Sequence, residues 1–226
     1  MSTLATIETT TSVETFAHPK VIAEIGQLAW AALTEEEATN VAWAYYFFSV
    51  QFRENLEIAC GLHPDDPKLQ DLAREECNTD NLSPWPGVAE PGEKLNHDEF
   101  MRRTLALSAI PDDRQRAFRD LGERYLAATR RMAPLARAQS IASYEDGGLE
   151  LVFRAMLKTP QAQTPLLRAF RHFLSEHIRF DSDPEQGHGA LARHLRPDDR
   201  ILPLWVGFRD LLVGCVPALA APAEAR

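Results

Sequence analysis

Apolar residues recur along this chain every three or four positions, the period of a helix that buries one face. Val21, Ile22, Ile25, Leu28, Ala29 and Ala32 set the rhythm from residue 18 onward. Thr34 then offers an N-cap, and Glu35, Glu36 and Glu37 an acidic first turn that suits a helix dipole. The helix they open, about 38–60, carries Trp43, Tyr46, Phe47 and Val50 at helical spacing, with Tyr45, Phe48 and Phe52 on neighbouring faces. A helix so apolar around its girth is predicted to be buried on most sides. Gly61 and Pro64 end it, and Asp66-Pro67 starts another that runs through Leu69 and Leu72 to Glu75 and Glu76.

The rhythm lapses over residues 78–96, which hold three Pro and two Gly, and a long loop is predicted there. Asn96 caps the next helix, with His97, Phe100, Met101 and Leu105, and Asp112-Asp113 opens one through Phe118, Leu121 and Tyr125. The segment 134–157 follows, interrupted by Gly147-Gly148. Each Gly inside a helix costs about 1 kcal/mol relative to Ala, so the pair predicts a kink or a close approach of backbone. Two further helices are expected at 166–182 and about 201–216. No alternating pattern predicts a strand, and there is no internal repeat, GxGxxG or phosphate-binding loop. The expectation is an all-α chain: one compact bundle of seven or eight helices over 17–217, between loose tails at 1–16 and 218–226.

Composition narrows the function classes. Of 226 residues 45% are hydrophobic and 25% charged, with a net charge of −9. That balance argues against nucleic acid or an anionic membrane as partner, since both attract a basic face. Cys60, Cys77 and Cys215 are odd in number and far apart, which reads as free thiols in a reducing compartment. No basic, apolar leader opens the chain and no run approaches the ~20 apolar residues of a membrane span. A cytoplasmic protein acting on a small-molecule substrate is expected.

The candidate chemistry centres on residues 173–194. His177, Asp181 and His188 are spaced four and seven apart, which on a continuous helix puts them on one stripe beside Leu174, Ile178 and Phe180. Asp and His are costly to bury unless they are paired or bind a metal. The plain alternative is a His–Asp pair on a solvated face. Two other places set such groups on apolar helices: Glu75 and Glu76, followed across the loop by His97, and Glu145 with Glu150 close behind. Three carboxylates and three imidazoles suit the mixed N/O coordination of two iron or manganese ions, projected inward from facing helices. A ferritin-like arrangement needs two Glu-x-x-His motifs on two helices. The one literal match, Glu185 to His188, is interrupted by Gly, which speaks against that fold.

The order Glu76, His97, Glu145, then His177-x3-Asp181-spacer-His188 resembles the haem-oxygenase-like di-iron oxidases and oxygenases, within the wider group of TenA-like and PqqC-like proteins. The resemblance covers roughly residues 75–195. It implies a seven- or eight-helix bundle in which those six residues hold two Fe ions between core helices. It also implies O2 as co-substrate, oxidation of an amino-acid-derived or fatty-acid-like molecule in a biosynthetic pathway, and often a homodimer. The last spacer is six residues here, longer than the family's two or three. Either His188 stays on the same helix one turn further along, or Asp183-Pro184 breaks that helix and His188 comes from a new one. The first carboxylate is open among Glu75, Glu76 and Asp80, the second between Glu145 and Glu150. Tyr45, Tyr46, Phe48 and Trp85 are expected to wall the substrate pocket, with Asn81 or Tyr144 orienting ligands. Two other readings stand beside this one: a metal-free enzyme of the PqqC or TenA kind using His and acid groups for proton transfer, and a non-catalytic helical binding protein.

Overall fold

The architecture follows from one long central helix and what it must cover. The structure, a computed structural model, describes residues 16–76, 82–160, 163–181 and 188–221, leaving aside the side chains of Phe180 and Asp181. The helices are α1 (His18–Gly26), α2 (Glu35–Leu62), α3 (Pro67–Glu76), α4 (His97–Leu105), α5 (Asp112–Arg130), α6 (Pro134–Ser143), α7 (Leu149–Met156), α8 (Pro165–Asp181), α9 (His188–Ala192) and α10 (Leu202–Cys215). Among the described residues there is no strand, only an isolated bridge between Trp85 and Ala89 in the loop before α4. The all-α bundle expected from the periodicity is what these residues form.

Helix α2 starts where the sequence predicts. Thr34 Oγ1 accepts from the Glu37 N–H while Glu37 Oε2 accepts from the Thr34 N–H, a reciprocal cap that satisfies two orphan donors. Its girth is then packed by α3, α4, α5, α6, α8 and α10. Tyr45 lies at the middle of an aromatic layer with Phe48, Phe153, Phe170, Phe173 and Phe208, ring centroids 5.4–6.4 Å away. Such tilted and edge-on pairs add directional preference to plain burial. Where α2 meets α6 a polar pin is buried and satisfied: Arg137 donates to Asn55 and Glu54, and Asn55 donates to Ser140.

The predicted break at Gly147-Gly148 is real and has a particular form. Residues Tyr144–Gly148 make a π turn between α6 and α7, and Gly147 takes φ +89°, a left-handed conformation that glycine adopts without a Cβ clash. This split divides the segment expected at 134–157 into two helices. The loop before α4 is tied down by Trp85, which stacks on His172 of α8 at 4.4 Å, and by Arg103, which donates to the Val88 carbonyl and to Glu93. Beyond α10, Pro217–Ala220 form a 3-10 turn whose Leu219 is buried and accepts from the Ala29 N–H, so packing continues past residue 217. Residues 1–15, Cys77, Asp80, Asn81 and residues 182–187 and 222–226 lie outside the described residues; Cys60 and Cys215 are free thiols. Among the described residues no helix is long and apolar enough to cross a membrane.

Candidate metal centre

Side chains from α3, α4, α8, α9 and the π turn meet at a single buried spot. Glu76 is the last described residue of α3, His97 the first of α4, His188 the first described residue of α9, and Glu145 sits in the π turn; His177 lies within α8. All five are only 3–7% exposed. Their ligand atoms form two groups, Glu76/His97/His177 and Glu76/Glu145/His188, and within each group the atoms lie within 4.8 Å of one another. Glu76 belongs to both. Its Oε2 is 2.8 Å from His97 Nδ1, which in turn is 3.1 Å from His177 Nε2. Its Oε1 is 2.6 Å from His188 Nδ1, and that nitrogen is 3.4 Å from Glu145 Oε2.

No family model, curated protein or solved structure matches this chain. The chemistry of the site is therefore argued from its own atoms. Oε1 of Glu76 is fully buried with His188 Nδ1 only 2.6 Å away, as close as two ligands of one ion would stand. The imidazoles are anchored from behind. His177 donates its Nδ1–H to the Phe173 carbonyl at 2.7 Å, which leaves the Nε2 lone pair facing the cluster. A ring held this way by its far nitrogen is the usual arrangement of a metal-binding histidine. Each of the two mixed N/O donor sets, which share Glu76, has the residue types that hold a metal ion.

Electrostatics agree with that fit. Burial pushes the Glu76 carboxyl up, but the imidazoles of His97 and His188 outweigh it and hold the group well below the usual carboxylate range. Burial, followed by the neighbouring His97 ring, pushes His177 down to about 3, against the opposing pull of Glu76 and the Phe173 carbonyl. At neutral pH the bridging carboxylate is thus ionised and His177 neutral, the forms that ligate.

The sequence-predicted residues divide as follows. Glu76, His97, Glu145, His177 and His188 are brought together. Helix α8 is described as far as Asp181 and α9 from His188; the spacer between them, on which the two alternatives for His188 turn, lies outside the described residues. The Asp181 side chain lies outside the described residues. Glu150 turns away and pairs with Arg154, and Glu75 reaches the far nitrogen of His188 at 3.2 Å. Beside the cluster is a small cavity of about 10 Å³, lined by Tyr45, Ser49, Phe52 and Leu149 with Glu76, His97, Glu145 and His177, room for about one water. Of the four expected pocket residues only Tyr45 borders it. Tyr46 lines a separate cleft of about 650 Å³ between α2, α4 and α5; Phe48 is sealed among Tyr45, Tyr144 and Phe208; Trp85 covers His172. Ser49 and Phe52 were not anticipated, yet they follow Tyr45 at i+4 and i+7, one stripe of α2. Tyr144, next to Glu145, is fully buried and its hydroxyl donates to Gln51 Oε1 at 3.3 Å, which steadies the turn that aims Glu145.

Proposed function

We propose that the protein is a non-haem di-iron oxidoreductase that uses O2 to oxidise a small molecule. The observation that supports this most is the position of Glu76, whose two oxygens each face a separate buried donor group. One ion would be held by Glu76, His97 and His177, the other by Glu76, Glu145 and His188, and Asp181 joins them by resemblance to the haem-oxygenase-like oxidases. Two irons bound there supply the electrons for O2 activation, which side chains of this kind do not provide. An amino-acid-derived or fatty-acid-like substrate is the choice that the same resemblance favours.

The chain's own contribution is positional. Glu76 and Glu145 bring negative charge into a dry core, where it compensates metal charge that solvent does not reach. The Phe173 carbonyl fixes the tautomer and the plane of His177. Tyr45, Phe52 and Leu149, all buried, hold bulk water off the open side.

Fe(II) titration under nitrogen, followed by exposure to O2, tests the reading. Two irons per chain, O2 consumption that follows iron content, and in His177→Ala a fall to one iron per chain with loss of O2 consumption are expected. A protein that binds no iron, or binds it equally well without His177, refutes it.

A further inference from the structure

Glu75 is the residue before the bridging carboxylate, at the end of α3, and its side chain is 54% exposed. Its Oε2 lies 3.2 Å from His188 Nε2. The other nitrogen of that ring, Nδ1, faces Glu76 Oε1 at 2.6 Å and Glu145 Oε2 at 3.4 Å. A neutral imidazole carries one N–H and one lone pair. With a metal ion among Glu76, Glu145 and His188, one tautomer serves both sides: the N–H on Nε2, donated outward to Glu75, and the lone pair on Nδ1, turned to the ion.

We propose that Glu75 is the positioning residue for the ion held by Glu76, Glu145 and His188, an inference that rests on the dinuclear reading above. Glu75 puts no atom into the centre itself. It fixes the tautomer and rotation of His188 and raises the basicity of Nδ1, as carboxylates behind metal-bound imidazoles do. The two halves of the centre then differ in how they are held. His177 is anchored by a backbone carbonyl within its own helix, whereas His188, on the short α9, is anchored by a carboxylate that solvent reaches from α3. Adjacent glutamates thus divide the work, Glu76 inside the cluster and Glu75 behind it.

Co(II) titration of the full chain, read by stoichiometry and by the visible ligand-field spectrum, tests this on wild type, Glu75→Leu and Glu75→Gln. Wild type takes up two Co(II) per chain. Glu75→Leu keeps one at wild-type affinity and binds the second about 10–100-fold more weakly, with a changed spectrum for that ion. Glu75→Gln stays close to wild type, because its amide oxygen still accepts from Nε2–H. The metal-free melting temperature is the same in all three, which shows that the variants fold. The proposal is overturned if Glu75→Leu binds both ions as wild type does, or if the Gln variant weakens as far as the Leu variant, which would assign the effect to charge alone. Wild type that binds no Co(II) sinks the dinuclear reading instead, and this proposal with it.

Discussion

Replacing Glu76 by Gln tests whether one carboxylate truly serves two ions. The amide keeps the volume of the side chain, so the packing of α3 against α2 and α9 is undisturbed, and what is lost is the charge and one acceptor oxygen. A ligand present at 100 times its Kd stabilises the folded state by about 2.7 kcal/mol. For a chain of this size each kcal/mol moves the melting temperature by roughly 2–4 °C. One ion therefore adds about 5–11 °C and two add about 11–22 °C. Glu145 is near the ligand atoms of one group only, whereas Glu76 is near both. In a thermal melt with and without Co(II), Glu145→Gln should retain roughly half of the wild-type shift and Glu76→Gln almost none. Equal losses in the two variants, or a smaller loss in Glu76→Gln, would refute the idea of a shared carboxylate.

Three further outcomes follow from the same geometry. Gly189 lets α9 lie close on the π turn, and a Cβ there would stand 3.0 Å from the Glu145 carbonyl oxygen and 3.3 Å from Asp146 Cα; Gly189→Ala should push His188 away and lower metal stoichiometry from two to one, as counted by elemental analysis. Gly147 has open space around it but φ +89°, so Gly147→Ala should cost about 1–2 kcal/mol of left-handed strain and lower the metal-free melting temperature by roughly 2–8 °C. His177 is held neutral down to about 3, against 6.5 for the free group. Between those values the unfolded chain binds a proton that the folded chain refuses, so metal-free stability should fall on acidification by up to about 1.4 kcal/mol per pH unit. The depressed Glu76 carboxyl acts in the same direction, its contribution being lost as pH falls through its folded value. Denaturant melts of wild type and His177→Gln over this range check the point, and an equal slope in both would count against it.

The helices were legible because their caps and apolar stripes are local. Thr34 with Glu37, Asp66-Pro67, and Gly147-Gly148 each act within one turn of chain, where propensity and capping decide. The partners within the centre were legible for a different reason: acid and imidazole on otherwise apolar helices demand an explanation. Rotational phase was not legible. Tyr45 and Tyr46 are adjacent, about 100° apart on a helix, and α2 is apolar all round, so nothing in the pattern says which of them faces the cluster. The stripe of His177, Asp181 and His188 depends on how the chain runs through residues 182–187, which lie outside the described residues. The Trp85–His172 stack joins a loop to a helix far along the chain, and no local rule reaches that distance.

The acid–base alternative can be weighed by following the protons. A group that exchanges protons near neutral pH works best with a pKa close to it, and both Glu76 and His177 are displaced far below. The N–H of His177 points outward, to the Phe173 carbonyl, and the Glu75 carboxylate behind His188 draws that ring's N–H outward too, so what turns inward is lone pairs and carboxylate oxygens. His97 Nδ1 carries at most one proton for its two neighbours, Glu76 Oε2 and His177 Nε2. Electron-rich atoms packed this closely in a medium that screens poorly repel one another. A positive charge placed among them, which metal ions held by the two donor groups would supply, relieves the repulsion at these contacts.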